Sequence, residues 1–269
     1  MGLAPVTSWL ACPTCGLALS LDERTLGCRT GHRFDLARQG HVNLLGRAAP
    51  ANADTTEMVA ARARFLGAGH YQPIVDALVA RTRSARRIVE VGAGTGHYLA
   101  RVLDAHPAAT GLATDVSPMA ARRAAKAHDR MGSVVADTWA GLPLRSGVAD
   151  ALLCVFAPRN PVEFARVTGP GGLLLVVTPN AGHLAQARER LGLLGIEGDK
   201  LARLNRSMAG AFEAIWSQRI RWTMDLDAGS LQDLVQMGPN AFHEHGEVVD
   251  GLEVDADVQL SIFRRAARQ

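Results

Sequence analysis

The sequence predicts an α/β protein, a doubly wound, mostly parallel sheet preceded by a small N-terminal metal-binding module. Three observations carry this reading. From Arg87 onward, apolar strand-like runs alternate with helical patterns, as parallel strands joined by crossover helices require. The first of these runs leads into a glycine-rich turn, VEVGAGTG. Ahead of it, three of the chain's 4 cysteines crowd together with His32. The chain divides into a metal-binding module (residues 1–45), a linker with two helices (46–86) and a cofactor-binding domain (87–269).

In the first segment, Cys12 and Cys15 form C-x2-C, and Cys28 and His32 form C-x3-H. Two such knuckles brought together by a hairpin complete a closed tetrahedral zinc site. The intervening LALSLDERTLG reads as two short strands around the DER turn. A module of this size buries too little apolar surface to be secure alone, and a metal supplies the missing folding energy. Disulfides are the alternative. The N-terminus lacks a basic start followed by an apolar stretch, which implies a cytoplasmic protein, and there disulfides are disfavoured. Four protein ligands leave the ion no open position, so the zinc is structural. Cys154, in the apolar DALLCVFA, reads as a core residue.

GRAAPANADTTEM (46–58) is small, polar and proline-containing: a linker ending at a helix start, with Asp54 or Thr55 as cap and Glu57 in the first turn. Two helices follow, broken around GAGHYQP. Strands are then predicted in RIVEV, ATGLATDVS, GSVVADTW, DALLCVFAP and GPGGLLLVVTP, and helices in HYLARVLDAH, PMAARRAAKAHDR, PVEFARVT and HLAQARERLGLLG. FEAIWSQRIRWTMDL and LEVDADVQLSIFRRA are long strands around a short helix, SLQDLVQMG, and suggest an antiparallel finish. The module and the cofactor domain are expected to have separate cores.

Gly92, Gly94 and Gly96 let the chain turn tightly off its strand and approach a ligand. Asp115 ends the next strand, nineteen residues past Gly96, where a carboxylate takes two ribose hydroxyls. It could also cap the helix that follows. Asp137, after the third strand, stands where the adenine edge is met. A hydride-transfer enzyme would need a further glycine where His97 stands.

No apolar run approaches the length of a membrane span. Net charge is +3, made of +2 over residues 1–50, +4 over 51–130 and −3 over 131–269. Arg24, Arg29, Arg33, Arg38 and Arg47 surround the metal module. Such a rim suits a polyanionic partner, although it could simply keep a small module soluble.

The glycine loop with Asp115, Asp137 and the later GPGG resembles the S-adenosylmethionine-dependent methyltransferases of the Rossmann-like class. With the metal module in front, the whole chain resembles the large-subunit ribosomal RNA guanine-N1 methyltransferases. The landmarks are CPTCG, GCRTGHRFDLARQGHVNLL, DTTEMVAARARFLGAGHYQPI, VEVGAGTGHYLARVL, FAPRNP, TPNAGHL and MGPNAFH. FAPRNP and DTT look most like the actinomycete branch associated with tylosin resistance. The resemblance implies S-adenosylmethionine and one zinc as cofactors, a homodimer, and a ribosomal RNA hairpin as substrate. It also implies Cys12, Cys15, Cys28 and His32 as zinc ligands, and cofactor contacts from Tyr71, Gly96, His97 and His183. On their own residue chemistry, Tyr71 and its neighbour His70 could equally be core, and His183 a helix cap. Glu90 stands where the family usually has aspartate.

Methyl transfer from a sulfonium is an in-line displacement that needs alignment and exclusion of water. The target guanine must leave its stack. The loop after the fourth strand of the cofactor domain lies beside the donor methyl in this fold. Phe156 is therefore a candidate to stack on the base, Asn160 to bond its edge, Arg159 to hold O6 or a phosphate, and Pro158 to shape the pocket. Two other readings compete with an RNA methyltransferase. One is a small-molecule methyltransferase that keeps the metal module as a lid; the other is a non-catalytic RNA-binding protein.

Overall fold

The computed structural model describes residues 2–195 and 200–266. The chain opens with a 3-10 helix, Ala4–Trp9, and a three-stranded antiparallel meander: β1 (Ser20–Asp22), β2 (Thr25–Gly27) and β3 (Arg33–Asp35). The expected DER turn joins β1 to β2, with Glu23 at a φ of 49°. A two-residue strand follows, β4 (Val42–Asn43), and then helices α1 (Thr56–Gly67) and α2 (Gln72–Arg81). Thr55, not Asp54, caps α1, its hydroxyl accepting from Met58 N at 3.3 Å.

The cofactor domain runs β5 (Arg87–Val91), α3 (His97–Ala105), β6 (Thr110–Asp115), α4 (Pro118–Ala124), β7 (Met131–Val135), β8 (Ala149–Val155), α5 (Pro161–Val167), β9 (Thr168–Pro179) and α6 (Ala185–Leu191). It closes with α7 (Lys200–Met208), β10 (Phe212–Leu226), α8 (Ala228–Gln236) and β11 (Leu252–Arg265). One sheet of 8 strands takes the order β10-β11-β9-β8-β5-β6-β7-β4. Strands from β4 to β9 pair in parallel, and β11 and β10 pair antiparallel at the far edge, the finish expected from their length. From β5 the chain winds out to β6 and β7, then returns to β8 on the other side. The crevice at the carboxyl end of β5 is therefore the topological switch point, where such sheets bind ligands.

Beyond the opening 3-10 helix and the third meander strand, neither of which the sequence announces, three elements differ from expectation. The helix expected over 118–130 stops at Ala124. Beyond it, Arg130 donates to the carbonyls of Leu103, His106 and Ala109 and draws the segment toward the turn before β6. The polar segment of α7 lacks an apolar run and was not expected to be helical. β4 extends the main sheet, pairing Val42 with Val134 and Asn43 with Val135.

The last point belongs to a larger difference. The N-terminal module has no core of its own. Leu3, Val6, Trp9, Leu10, Cys12, Leu19 and Leu26 join Val89, Val91, Leu112, Val134 and Leu152 in one apolar cluster on one face of the sheet. Gly132 in β7 shows how close the contact is: a Cβ there would lie 2.5 Å from Val6 Cγ2. Helices α1, α2, α3 and α8 cover the other face. The module shares this face of the sheet with α5 and α7, whose Phe164, Val167, Leu204 and Met208 belong to the same cluster.

Candidate cofactor cavity and metal centre

The metal ligands come from two turns. Sγ of Cys12, Cys15 and Cys28 and Nδ1 of His32 all lie within 4.8 Å of one another. The separations test a metal directly. Zinc bonds of about 2.3 Å to sulfur and about 2.0–2.1 Å to nitrogen, at tetrahedral angles, give edges of roughly 3.8 Å for S···S and roughly 3.6 Å for S···N. Here Cys15 and Cys28 are 3.7 Å apart, Cys12 and His32 3.6 Å, and Cys28 and His32 3.4 Å. A disulfide needs sulfurs about 2.05 Å apart, and all the cysteines are free. The Thr30 hydroxyl beside Cys28 brings that thiol down to about 5 and lowers Cys15 as well, favouring the ligating thiolate. Burial pushes Cys12 up. The donor set fits a structural zinc, with all four expected ligands converging. Cys154 is not part of this ligand group. Burial raises its thiol to about 12, and its S–H points at the Ala157 carbonyl, as expected of a core residue.

A cavity of about 700 Å³ lies at the switch point. Its walls come from the glycine loop (Gly92, Gly94), the ends of β6 and β7 (Asp115, Asp137, Thr138, Trp139), the loop after β8 (Phe156, Pro158), the linker (Arg47, Asn52, Asp54), helix α1 (Arg62) and the segment after α8 (Met237, Phe242, His243). Gly92, Gly94 and Gly96 have φ of 60°, 54° and 74°, in the left-handed region that disfavours side chains. At Gly94 a Cβ would also lie 2.8 Å from the Arg62 guanidinium, which reaches over the loop. Gly96 instead abuts Met131 and Ala124, setting α3 against the sheet.

Asp115 is buried on the cavity wall. Its Oδ2 accepts from Gly94 N at 2.8 Å and its Oδ1 from Ser117 N at 2.9 Å. The carboxylate thus braces the glycine loop and orients Ser117, which itself caps α4. Two bonds leave the remaining lone pairs of a four-site acceptor for hydroxyls. Burial pushes its carboxyl up, opposed by these two amides. Asp137 accepts from Trp139 N at 2.8 Å and forms an ion pair with Arg47. Glu90 lies at the floor, accepting from Leu99 N at 3.1 Å; burial raises it to about 8, so it is mostly protonated at neutral pH.

Tyr71 and His183 meet, although 112 residues separate them: Tyr71 Oη stands 3.4 Å from His183 Nε2. Because His183 Nδ1 accepts from Asp257 N at 3.1 Å, the ring proton lies on Nε2 and is donated to Tyr71. Phe156 stacks on His183 with centroids 5.8 Å apart and holds a positive φ of 52°. His70, by contrast, is half-buried and packs its ring on Phe65. Tyr71, Phe156 and Pro158 line the cavity; His183 stands behind Tyr71 and Phe156. Gly96, His97, Arg159 and Asn160 are off the wall. His97 begins α3, and burial, with Arg101, lowers it to about 4. Asn160, expected at a guanine edge, has both ends of its amide committed: Oδ1 accepts from Glu163 N at 3.3 Å and Nδ2 donates to the Thr138 carbonyl at 3.0 Å.

Arg62, Trp139 and Phe242 line the cavity although the sequence gives them no site role, and so does Asp54, read from the sequence only as a candidate cap. Arg62 pairs with Asp54 and donates to the Met237 carbonyl. Nothing in its helical segment sets it apart from neighbouring arginines; only the fold brings α1 over the glycine loop. Of the rim arginines, Arg24 clamps the carbonyls of Leu36 and Ala37, and Arg47 is committed to Asp137.

The sheet order, the glycine loop at its switch point and the acid-lined cavity define a methyltransferase fold of the Rossmann-like class. A chain of the Haloferax volcanii complex between the Trm112 methyltransferase activator and a candidate methyltransferase superposes with a TM-score of 0.55 at 15% identity, covering 79% of this chain and 97% of its own. The family profile described as RlmA, N-terminal, a zinc ribbon, matches residues 10–49. The 23S rRNA (guanine(748)-N(1))-methyltransferase of Streptomyces fradiae is 49% identical over 245 residues, covering 89% of this chain and 88% of that one. A Micromonospora griseorubida protein, named as a candidate 23S rRNA (guanine-N(1)-)-methyltransferase, is 47% identical, with 87% of each chain covered. The chain belongs to the family of 23S rRNA (guanine-N1)-methyltransferases.

Proposed function

We propose that this protein transfers a methyl group from S-adenosylmethionine to N1 of a guanine in a hairpin loop of 23S rRNA, the guanine corresponding to position 748, and that this modification gives macrolide resistance. The observation that carries the reading is the 49% identity to the Streptomyces fradiae enzyme across 89% of this chain. Only about a tenth of the chain lies outside that match, and the RlmA zinc-ribbon profile covers residues 10–49; a small-molecule enzyme or a pure RNA binder would not need to retain metal module and cofactor cavity as a pair.

Bound in the cavity, S-adenosylmethionine supplies an electrophilic methyl group. Asp115 accepts the ribose hydroxyls with its remaining lone pairs, and Asp137 with its neighbouring backbone meets the adenine edge. The backbone of Gly92 and Gly94 lies against the cofactor, and Gly96 and His97 set α3 behind it. Tyr71, held by His183, closes the wall beside Phe156. The guanine leaves its stack and is held by Phe156 and Pro158, with Arg159 toward O6 or a phosphate, in line with the methyl. When bound, the cofactor would supply the methyl group and leave as S-adenosylhomocysteine, and guanine N1 would lose its proton to solvent. Zinc on Cys12, Cys15, Cys28 and His32 holds the module that residues 1–45 form. The linker and helices of 46–86 join it to the catalytic domain of 87–269, and the exposed arginines of the module take RNA phosphates.

The enzyme works on ribosomal RNA in the cytoplasm, as a homodimer. No helix among the described residues is long and apolar enough to cross a membrane. Incubation with S-adenosylmethionine and 23S rRNA, followed by mass mapping of methylated nucleosides, should yield 1-methylguanine in one hairpin loop. Methylation of small acceptors but of no RNA would overturn the reading.

A further inference from the structure

We infer that Trp139 is a stacking platform for a nucleobase of the RNA substrate at the mouth of the cofactor cavity. The inference rests on the RNA methyltransferase reading and extends it to a residue outside the expected base-holding loop.

Trp139 is 67% exposed, the most solvent-open aromatic among the described residues. A tryptophan in water forgoes the large gain that burial of its ring would bring. It is not left there by a loose loop. Its own N–H donates to Asp137 Oδ1 at 2.8 Å. Asn160 holds the Thr138 carbonyl at 3.0 Å, and Glu163 accepts from Leu142 N at 2.8 Å. Arg166 donates to the carbonyls of Leu142 and Leu144 at 2.8 and 2.6 Å. Helix α5 thus grips the 138–144 segment at both ends through its capping residue, its first-turn acid and its last-turn cation, with Trp139 beside the first grip. A rigid mount that presents a large apolar ring to water has no use in packing. No aromatic or cationic partner occupies either face of the ring among the described residues.

The place is informative. Trp139 lies on the wall of the cavity that also carries Phe156, itself an exposed aromatic residue. The Asn160 bond ties the loop bearing Trp139 to the loop bearing Phe156. An extruded guanine on Phe156 leaves a gap in the RNA stack, and an open aromatic face beside the entrance suits a neighbouring base. Stacking of this kind tolerates any base and draws on ring area, not on hydrogen bonds. Asn160 is then a positioning residue, acting through Trp139 instead of on the guanine edge.

The test uses the full zinc-loaded chain, a hairpin RNA from the 748 region, and Trp139→Ala and Trp139→Phe. Trp139→Ala is expected to raise the KM for RNA about 5- to 150-fold, the range of a lost base–aromatic stack. Trp139→Phe should recover most of that loss. Calorimetric affinity for S-adenosylmethionine should stay within about twofold of wild type in both variants, as stacking confined to RNA requires. An unchanged KM for RNA in a folded Trp139→Ala would overturn the inference while leaving the RNA reading intact. A loss of cofactor affinity that accounts for the defect would also overturn it, placing the indole on the cofactor's adenine. Failure of the wild-type chain to methylate any RNA would remove the reading beneath it.

Discussion

Asp115 sits at the joint between architecture and cofactor, and replacing it should have two separable effects. Its two oxygens accept from Gly94 N and Ser117 N at 2.8 and 2.9 Å in a buried setting. Asp115→Ala leaves both amides without a partner, at about 1–3 kcal/mol each, so the fold should lose roughly 2–6 kcal/mol. That is a large share of a total near 5–15 kcal/mol, and it should lower the melting temperature by roughly 4–24 °C. Asp115→Asn keeps one acceptor and should lose about half as much. Burial pushes the carboxyl up and the two amide bonds oppose this, so the bonds that hold the loop also favour the charged form. The asparagine variant should therefore stay folded at 25 °C while its affinity for S-adenosylmethionine falls about 10- to 100-fold, as expected for a lost charge-assisted bond to the ribose. Melting curves without cofactor and calorimetry with it separate the two effects. If Asp115→Ala melts with wild type, the bracing role is wrong. If folded Asp115→Asn binds the cofactor normally, the ribose assignment is wrong.

Three further outcomes are expected. Burial raises Glu90 from an ordinary 4.5 to about 8, so the fold prefers its neutral form; the stability this confers is complete below about 4.5 and is lost as pH rises through 8. Glu90→Gln should flatten that loss, and a melting temperature that falls with pH as steeply as wild type over this window would count against it. Zinc removal by chelation or Cys12→Ser should lower one cooperative transition for the whole chain and weaken cofactor binding, because Cys12 is 2% exposed within a cluster shared with Val89 and Leu112; an unfolded module beside a cofactor-competent core would contradict the shared core. Arg29, Arg33 and Arg38 carry no ion pair among the described residues, and their replacement by alanine should reduce the salt dependence of RNA affinity by about two in log–log slope without touching cofactor affinity. Arg47 is left out of that set because its partner is Asp137 in the cavity.

Features that depend on local chemistry are legible along the chain. Metal-ligand spacing, a glycine loop after an apolar strand and an acid at the end of the next strand are short-range patterns, and each marks a backbone or ligand requirement met within a few residues. They placed Cys12, Cys15, Cys28 and His32 at one point and brought Gly92, Gly94, Asp115 and Asp137 to one cavity. Tyr71 and His183 were legible only through resemblance, since their contact spans 112 residues. Tertiary structure alone decided the rest. The module's apolar residues have no periodicity that says which surface they will cover, and the sheet face beside β7 claims them. Arg47, Arg62 and Asn160 look like any surface polar residues, because an arginine or asparagine declares no partner in sequence; the fold sets Arg47 on Asp137, Arg62 over Gly94, and Asn160 between its helix and the Trp139 loop. Solvent exposure of a tryptophan is likewise a property of the whole surface, and it becomes visible only when every element that could have buried the ring is in place.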